Sequence, residues 1–389
     1  MIGLSELTCS EWPLLESSGD EADGEETAVG IRGSCRVRKW QPIADDESRG
    51  RKRRRMPLRR VRRPRVDIMA ESVGLPTCIF LRMVLIKLPG WFFSVLTYVL
   101  SKGYDVEPQF NCVEFYSGKA TIYRAFIRGG EPAMAYDYIN CPTSQNFLTT
   151  LGFLNAICCV CRLRPRGLNF WATVCSTWVA LCRNSTYRTA WRPLGNRKSK
   201  CVVEANLQVA RMAFLIRMSA AKYGRFCLEQ PASSLMKESP RMRDLQCEEE
   251  YLMNGPWTEA QTYMAGFGKS CAKPTALYAS GEWVNGLIRC VPENYRASMA
   301  TAAVTVNKSG RKIFTGDAKN LKESQGYTPE FGLCVYREFK KSQRTAEEFD
   351  FFDENPDGND DVVITDDLWE DVEGEQLCAH LGIRYGSPW

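Results

Sequence analysis

One histidine, His380, is all that the 389 residues provide, and it lies near the C-terminus. A Ser-His-Asp or Cys-His mechanism inside a folded core is thereby nearly excluded, because each needs an imidazole beside its nucleophile. A convincing secretory signal is also lacking. Glu6, Glu11 and Glu16 fall in the first residues, with neither a basic start nor an apolar stretch. Cys78–Ser101 is strongly apolar, but Arg82, Lys87, Pro89 and Gly90 divide it, and its longest uncharged run is Leu88–Ser101. A membrane helix needs about 20 consecutive apolar residues. The segment is therefore expected to be a buried helix packed on a domain, or an interfacial one, rather than a span. Cysteine is abundant, at 17 residues, yet crowded Cys158, Cys159 and Cys161 have no second pair at zinc-finger spacing, and no metal site is expected. The thiols read as mostly reduced, in the nucleus or the cytosol.

What is present suits a globular protein: 44% hydrophobic and 25% charged residues, in a chain long enough for one large core or two modest ones. The net charge of +5 hides a strong asymmetry. Arg49–Arg65 is densely basic and Glu347–Glu375 densely acidic, so each reads as a solvated tail. The basic run suits nuclear import or phosphate binding, and equally a plain linker; it makes the nucleus the expected location, with the cytoplasm as the alternative. Asp353, Asn355, Asp357 and Gly358 have calcium-loop spacing, but Ile364 stands where a bidentate Glu is needed and Pro356 intrudes.

Periodicity divides the chain into a disordered 1–70, basic toward its end; an apolar helical segment, 71–108; a main domain, 109–290; a small accessory region, 291–342; and an acidic, largely disordered tail, 343–389. Within the main domain, strands are expected at Cys112–Tyr116, Ala133–Tyr138, Phe170–Val174 and Phe226–Leu228. Helices are expected at Thr121–Ile127, Ser144–Val160 and Ser199–Tyr223. Strands alternating with helices imply an α/β fold, with a mainly parallel sheet covered on both faces. Ligands then bind beyond the carboxyl ends of the strands.

Four groups of residues fall at such ends. The first runs from Tyr116 through Ser117, Gly118, Lys119 and Ala120, a small-residue turn before a helix, followed by Asp137. The turn lets a cofactor approach the backbone, and an acid at the tip of the next strand can accept from both ribose hydroxyls. Second comes Val174-Cys175-Ser176-Thr177-Trp178, placing a thiol at the sheet edge. A basic loop follows with Arg183, Arg188, Arg192, Arg197, Lys198 and Lys200, expected to favour the thiolate and to hold phosphates. Third is Glu229-Gln230-Pro231, a carboxylate suited to a base's ring nitrogen and amine. The fourth, Met264–Gly268 followed by Lys273-Pro274-Thr275, brings a cation through a hairpin-like connection. Taken singly, each is also an ordinary turn, cap or structural cysteine.

In this order the four blocks resemble the carbon-5 cytosine DNA methyltransferases, and more closely a divergent methyltransferase-like group with V-C-S-[ST]-W and E-Q-P blocks. The resemblance covers about 170 residues, 111–283. It implies a Rossmann-like fold binding S-adenosyl-L-methionine through Tyr116, Gly118, Ala120 and Asp137. It implies Cys175 as nucleophile on carbon 6 of a flipped-out cytosine, with Glu229 on the ring nitrogen and Lys273 near the nucleophile. It implies a nucleic-acid partner, DNA ahead of RNA, held by Arg183, Arg188, Arg192, Arg197 and Lys198. Some positions depart from the family: Val174 replaces its proline, Gln230-Pro231 its Asn-Val, and Ala120 its second turn glycine. No acidic adenine-binding block stands between Asp137 and Cys175, where Asn155 is the nearest candidate. These departures leave open a catalytically inactive module with the same fold, binding nucleic acid or protein.

Overall fold

The computed structural model describes residues 59–61, 77–86, 88–103, 106–248, 250–296, 302–306, 310, 312–316, 318–346, 362–364 and 371–382. All belong to the unit Leu58–Trp389. The calcium-spaced segment and most of the N-terminal 70 residues lie outside them.

In chain order, β1 is Arg59–Val61, α1 Thr77–Leu85, α2 Gly90–Ser101, β2 Phe110–Phe115, α3 Thr121–Arg128 and β3 Ala133–Tyr136. Next come α4 Thr150–Cys161, β4 Leu163–Trp171, the one-turn α5 Arg183–Thr186, α6 Lys200–Ala221 and β5 Arg225–Pro231. The remainder comprises α7 Pro240–Gln246, α8 Glu250–Met253, β6 Trp257–Tyr263, β7 Pro274–Ser280, the β8–β9 hairpin (Ala302–Val306, Lys312–Gly316), α9 Ala318–Gln325, α10 Pro329–Ala346, β10 Val362–Ile364 and α11 Asp371–Leu381.

Six strands form one sheet in the order β3-β2-β4-β5-β7-β6. The pairs β2–β3, β2–β4 and β4–β5 are parallel, while β7 runs antiparallel to both β5 and β6. The expected α/β class with a mostly parallel sheet is what forms. Strand order reverses at β2, which has β3 on one side and β4 on the other, so a crevice is expected beyond the β2 and β4 ends.

Side chains alternate across the sheet and supply two cores. One contains Cys112, Leu168, Phe170, Cys227 and Leu277 of the strands, Ile122 and Phe126 of α3, and Phe331, Val335 and Phe339 of α10. The other is aromatic. Phe115 stacks on Trp171 at 4.0 Å, Phe147 meets both, and Phe153 of α4 meets Phe214 of α6. The apolar segment 78–101 completes this second layer, with Trp91 of α2 stacked on Phe214 at 5.4 Å. Arg82 of α1 donates to the Leu252 carbonyl and to Asn254 Oδ1, so its charge is used for docking. Among the described residues no helix is long and apolar enough to cross a membrane.

Several expectations shift. The helix expected from Ser144 begins at Thr150, because Thr149 caps it by accepting the Gly152 N–H at 3.0 Å. The strand expected to reach Val174 ends at Trp171, so Cys175 sits in a turn beyond the sheet rather than directly at its edge. Helix α10, inside the expected accessory region, belongs to the main core, since Phe331, Val335 and Phe339 are each 0% exposed. Two pieces of the acidic tail are folded: β10 pairs antiparallel with β1, and α11 buries Leu377 and Cys378 while packing on α2 and α4.

Candidate active site

The turn after β2 is shaped by backbone that side chains normally avoid. Tyr116, Gly118 and Ala120 have φ of 58°, 50° and 52°. A non-glycine residue in this left-handed region costs roughly 1–2 kcal/mol. That cost persists only where the surroundings enforce it, as functional turns do. Asp137, just past β3, accepts the Gly118 N–H at 2.9 Å and the Ile139 N–H at 3.0 Å. Its own N–H donates to Gln145 Oε1 at 2.8 Å, which explains why 144–149 wraps as a turn instead of starting a helix. The structure thus brings Gly118 and Asp137 together as expected. Above Gly118 nothing lies within 4 Å of where a Cβ would stand. Among the described residues the buried Tyr116 hydroxyl and Ser117 Oγ have no hydrogen-bond partner. An open glycine, two orphaned hydroxyls and an aligned carboxylate fit a polar, ribose-bearing ligand. Asn155 is committed elsewhere, donating to the Ser144 carbonyl at 2.8 Å.

Beneath this turn lies Glu114, which is 0% exposed. One oxygen accepts the Tyr123 N–H at 2.8 Å and so caps α3, whose cap position, Ala120, has no side chain able to do so. The other oxygen has no hydrogen-bond partner among the described residues. Burial pushes the carboxyl up to about 8, against the backbone hydrogen bonds that pull it down.

The second half of the site centres on Glu229. It is not past the end of a strand, as expected, but within β5, paired with Leu277 of β7. Lys273, with φ of 35°, places its Nζ 3.2 Å from Glu229 Oε1. Tyr327 donates its hydroxyl to Glu229 Oε2 at 2.8 Å, and its ring lies 5.3 Å from the Lys273 ammonium. Gln230 is itself a tie. Its Nε2 donates to the Thr173 carbonyl at 2.8 Å and its Oε1 accepts from Ser234, joining β5 to the Cys175 turn.

Cys175, Glu229 and Lys273 are close enough to act on one another electrostatically, but not in the expected direction. Burial first, then the Glu229 charge, push the Cys175 thiol up to about 11, and Lys273 only partly opposes them. The basic loop does not set this thiol. Lys273 is the cation that bears on it, and Lys273 is already paired with Glu229.

The loop itself divides. Arg183, Arg192, Arg197, Lys198 and Lys200 are exposed, as phosphate contacts require. Arg188 is not. It is 1% exposed, with its guanidinium 3.4 Å above the Trp178 ring, so it corrects the expectation of a surface contact. Tyr327, which no block singled out, is the site residue that sequence reading missed. A groove of about 260 Å³, lined by Lys119, Thr121, Arg124 and Arg128, reaches the same tyrosine. Among the described residues no cluster of metal ligands occurs and every cysteine is free.

Two outcomes are expected. Because Glu114 titrates in the ordinary glutamate range when unfolded and near 8 when folded, its contribution to stability is complete at low pH and is lost as pH rises through about 8. Glu114→Gln, which keeps an acceptor for Tyr123, should remove this loss, an effect on the order of a few kcal/mol. Urea unfolding from pH 5 to 9 checks it; parallel curves for the two proteins would show that Glu114 is not the buried acid described. Separately, Glu229→Gln should lower the Cys175 thiol pKa and speed its alkylation by iodoacetamide at pH 8, read on the Cys175 peptide by mass spectrometry. An unchanged or slower rate would mean that the two groups are not electrostatically coupled.

No known family, curated protein or solved structure matches this chain.

Proposed function

We propose that the chain is an S-adenosyl-L-methionine-dependent methyltransferase acting on carbon 5 of cytosine in nucleic acid, with a Rossmann-like methyltransferase fold. The observation that carries this reading is positional. The Gly118–Asp137 turn follows β2 and β3, the Cys175 turn follows β4, and Glu229 lies on β5, so two half-sites open at adjoining strand ends where the strand order reverses.

In this reading Asp137 would hold the ribose hydroxyls, and Tyr116, Gly118 and Ala120 would line the cofactor's methionine end. When bound, the cofactor would supply an electrophilic methyl group on a sulfonium for carbon 5, with the sulfonium sulfur as leaving group. Cys175 Sγ forms its bond to carbon 6, and its proton passes through Glu229 to the ring nitrogen. Electron density thereby moves to carbon 5. Lys273 and Tyr327 keep the Glu229 carboxylate oriented for this transfer. Loss of the carbon 5 proton to water then breaks the carbon–sulfur bond, and the ring-nitrogen proton returns through Glu229 to re-form the thiol. A base in a duplex reaches such a site only by flipping out, which costs a few kcal/mol. Arg183, Arg192, Arg197 and Lys198 would help to offset that cost through phosphate contacts.

One observation favours the second reading, a binding module without catalysis. A thiol pushed up to about 11 is protonated at neutral pH, and Glu229 already accepts from Tyr327 on one oxygen and faces the Lys273 ammonium with the other. Calorimetric titration with S-adenosyl-L-methionine separates the readings when paired with transfer of its labelled methyl to cytosine-containing DNA and RNA. Wild type should bind and transfer. Asp137→Ala should weaken binding at least roughly tenfold, the loss of about one charge-assisted hydrogen bond. Absence of heat from the folded wild type contradicts the methyltransferase reading; cofactor binding without transfer favours the module.

A further inference from the structure

The loop after α5 places its side chains the opposite way round from most loops. Arg188 is 1% exposed and Trp191, three residues later, is 97% exposed. Arginine is almost never fully buried unless paired, whereas tryptophan is highly buried on average. This inversion is built in. The Arg188 guanidinium stacks on Trp178, its Nη1 donates to the Pro193 carbonyl and to Asn206 Oδ1, and its Nη2 donates to Thr177 Oγ1. Asn206 returns a bond to the Leu194 carbonyl, and the Asn196 N–H donates to the Thr186 carbonyl. Gly195 closes the arch with φ of 62°; a Cβ there would stand 2.5 Å from the Thr186 oxygen. Thr189 and Arg192 exchange backbone hydrogen bonds across the tip, so Trp191 is held out on a braced turn.

The surroundings of the indole narrow its partner. No aspartate or glutamate occurs between Asp137 and Glu204. Tyr187, in the same loop, is 60% exposed, and Arg183, Arg192, Arg197 and Lys198 are exposed with it. Arg243, which donates to the Ala190 carbonyl, is already paired with Glu238. An aromatic face open on both sides among unopposed cations matches the alternation of base and phosphate in a single nucleic-acid strand. The arch is also joined to the chemistry. Trp178, on which Arg188 rests, donates its backbone N–H to the Cys175 carbonyl at 2.8 Å.

We propose that Trp191, aided by Tyr187, is a stacking platform for an unpaired nucleobase, with Arg183, Arg192, Arg197 and Lys198 on the phosphates of the same strand, so that the loop selects single-stranded over duplex nucleic acid. This deepens the reading above, on which it rests for the position of the loop, by naming the strand state of the partner.

Fluorescence anisotropy on the full chain tests it without cofactor, using a labelled cytosine- and thymine-containing DNA strand, alone and annealed to its complement. The single strand should bind more tightly, and binding should weaken as salt rises. Trp191→Ala should lose roughly ten- to a hundredfold in single-strand affinity. Trp191→Phe should keep most of that affinity, whereas Trp191→Leu, apolar but without a π-face, should behave like the alanine variant. Calorimetry with S-adenosyl-L-methionine should be unaffected by any of the three. Equal affinity for strand and duplex, an unaltered Trp191→Ala, or full rescue by leucine would overturn the proposal. So would Trp191-dependent capture by phosphatidylserine vesicles with no oligonucleotide binding. Cofactor binding without strand selection would sink this inference alone, and strand selection without cofactor binding would sink the methyltransferase reading alone.

Discussion

Taking the Glu229 carboxylate out of water costs several kcal/mol unless its oxygens find partners, and the chain meets that demand from two distant segments. Lys273, at the head of β7, faces one oxygen, and Tyr327, which precedes α10, donates to the other. The second partner ties function to fold. Tyr327 can reach Glu229 because Phe331, Val335 and Phe339 bury α10 against the sheet, and because Lys269 donates to the Glu323 carbonyl just before it. The same carboxylate then acts on Cys175. In a site of low dielectric an uncompensated charge raises the pKa of a neighbouring thiol, and Lys273 cannot serve Glu229 and Cys175 equally. The resting site therefore holds a neutral thiol beside a braced carboxylate, and a bound base that engages Glu229 would remove part of the charge that keeps the proton on sulfur.

The Gly118–Asp137 side shows the same economy of buried polar groups. Glu114 caps a helix that lacks a capping side chain of its own, and Asp137 fixes the turn above it. Among the described residues seven non-glycine residues have left-handed backbone, and three of them, Tyr116, Ala120 and Lys273, lie in the candidate site. Burial and strain here coincide with the sheet's reversal point, where an α/β fold offers a crevice.

Much of this was legible in the residues. The apolar runs at Cys112–Tyr116 and Ala133–Tyr138 and the long pattern from Ser199 announced the strands and the helix that position the site. The order of the four blocks, through the resemblance it carries, implies that Cys175, Glu229 and Lys273 share one site. What escaped notice did so for physical reasons. Tyr327 is 98 residues from Glu229 in sequence, and nothing local marks a phenol that completes a distant ion pair. The i, i+4, i+8 spacing of Phe331, Val335 and Phe339 did offer a signal for α10. Arg188 was misread because a basic run suggests a solvated surface; its burial depends on Trp178 and Asn206, which only the fold brings to it. The direction of the Cys175 shift likewise follows from a three-body balance that sequence spacing cannot weigh.

Methyl transfer at this site requires that Cys175 become covalently joined to a cytosine when S-adenosyl-L-methionine is bound. Incubation with S-adenosyl-L-methionine and a single strand carrying 5-fluorocytosine, followed by intact-mass and peptide analysis, measures this, because fluorine at carbon 5 blocks release of the sulfur. The account predicts an adduct of protein, strand and one methyl group, mapped to Cys175 and absent from Cys175→Ser. Cofactor binding with no adduct, or an adduct on another cysteine, would contradict it.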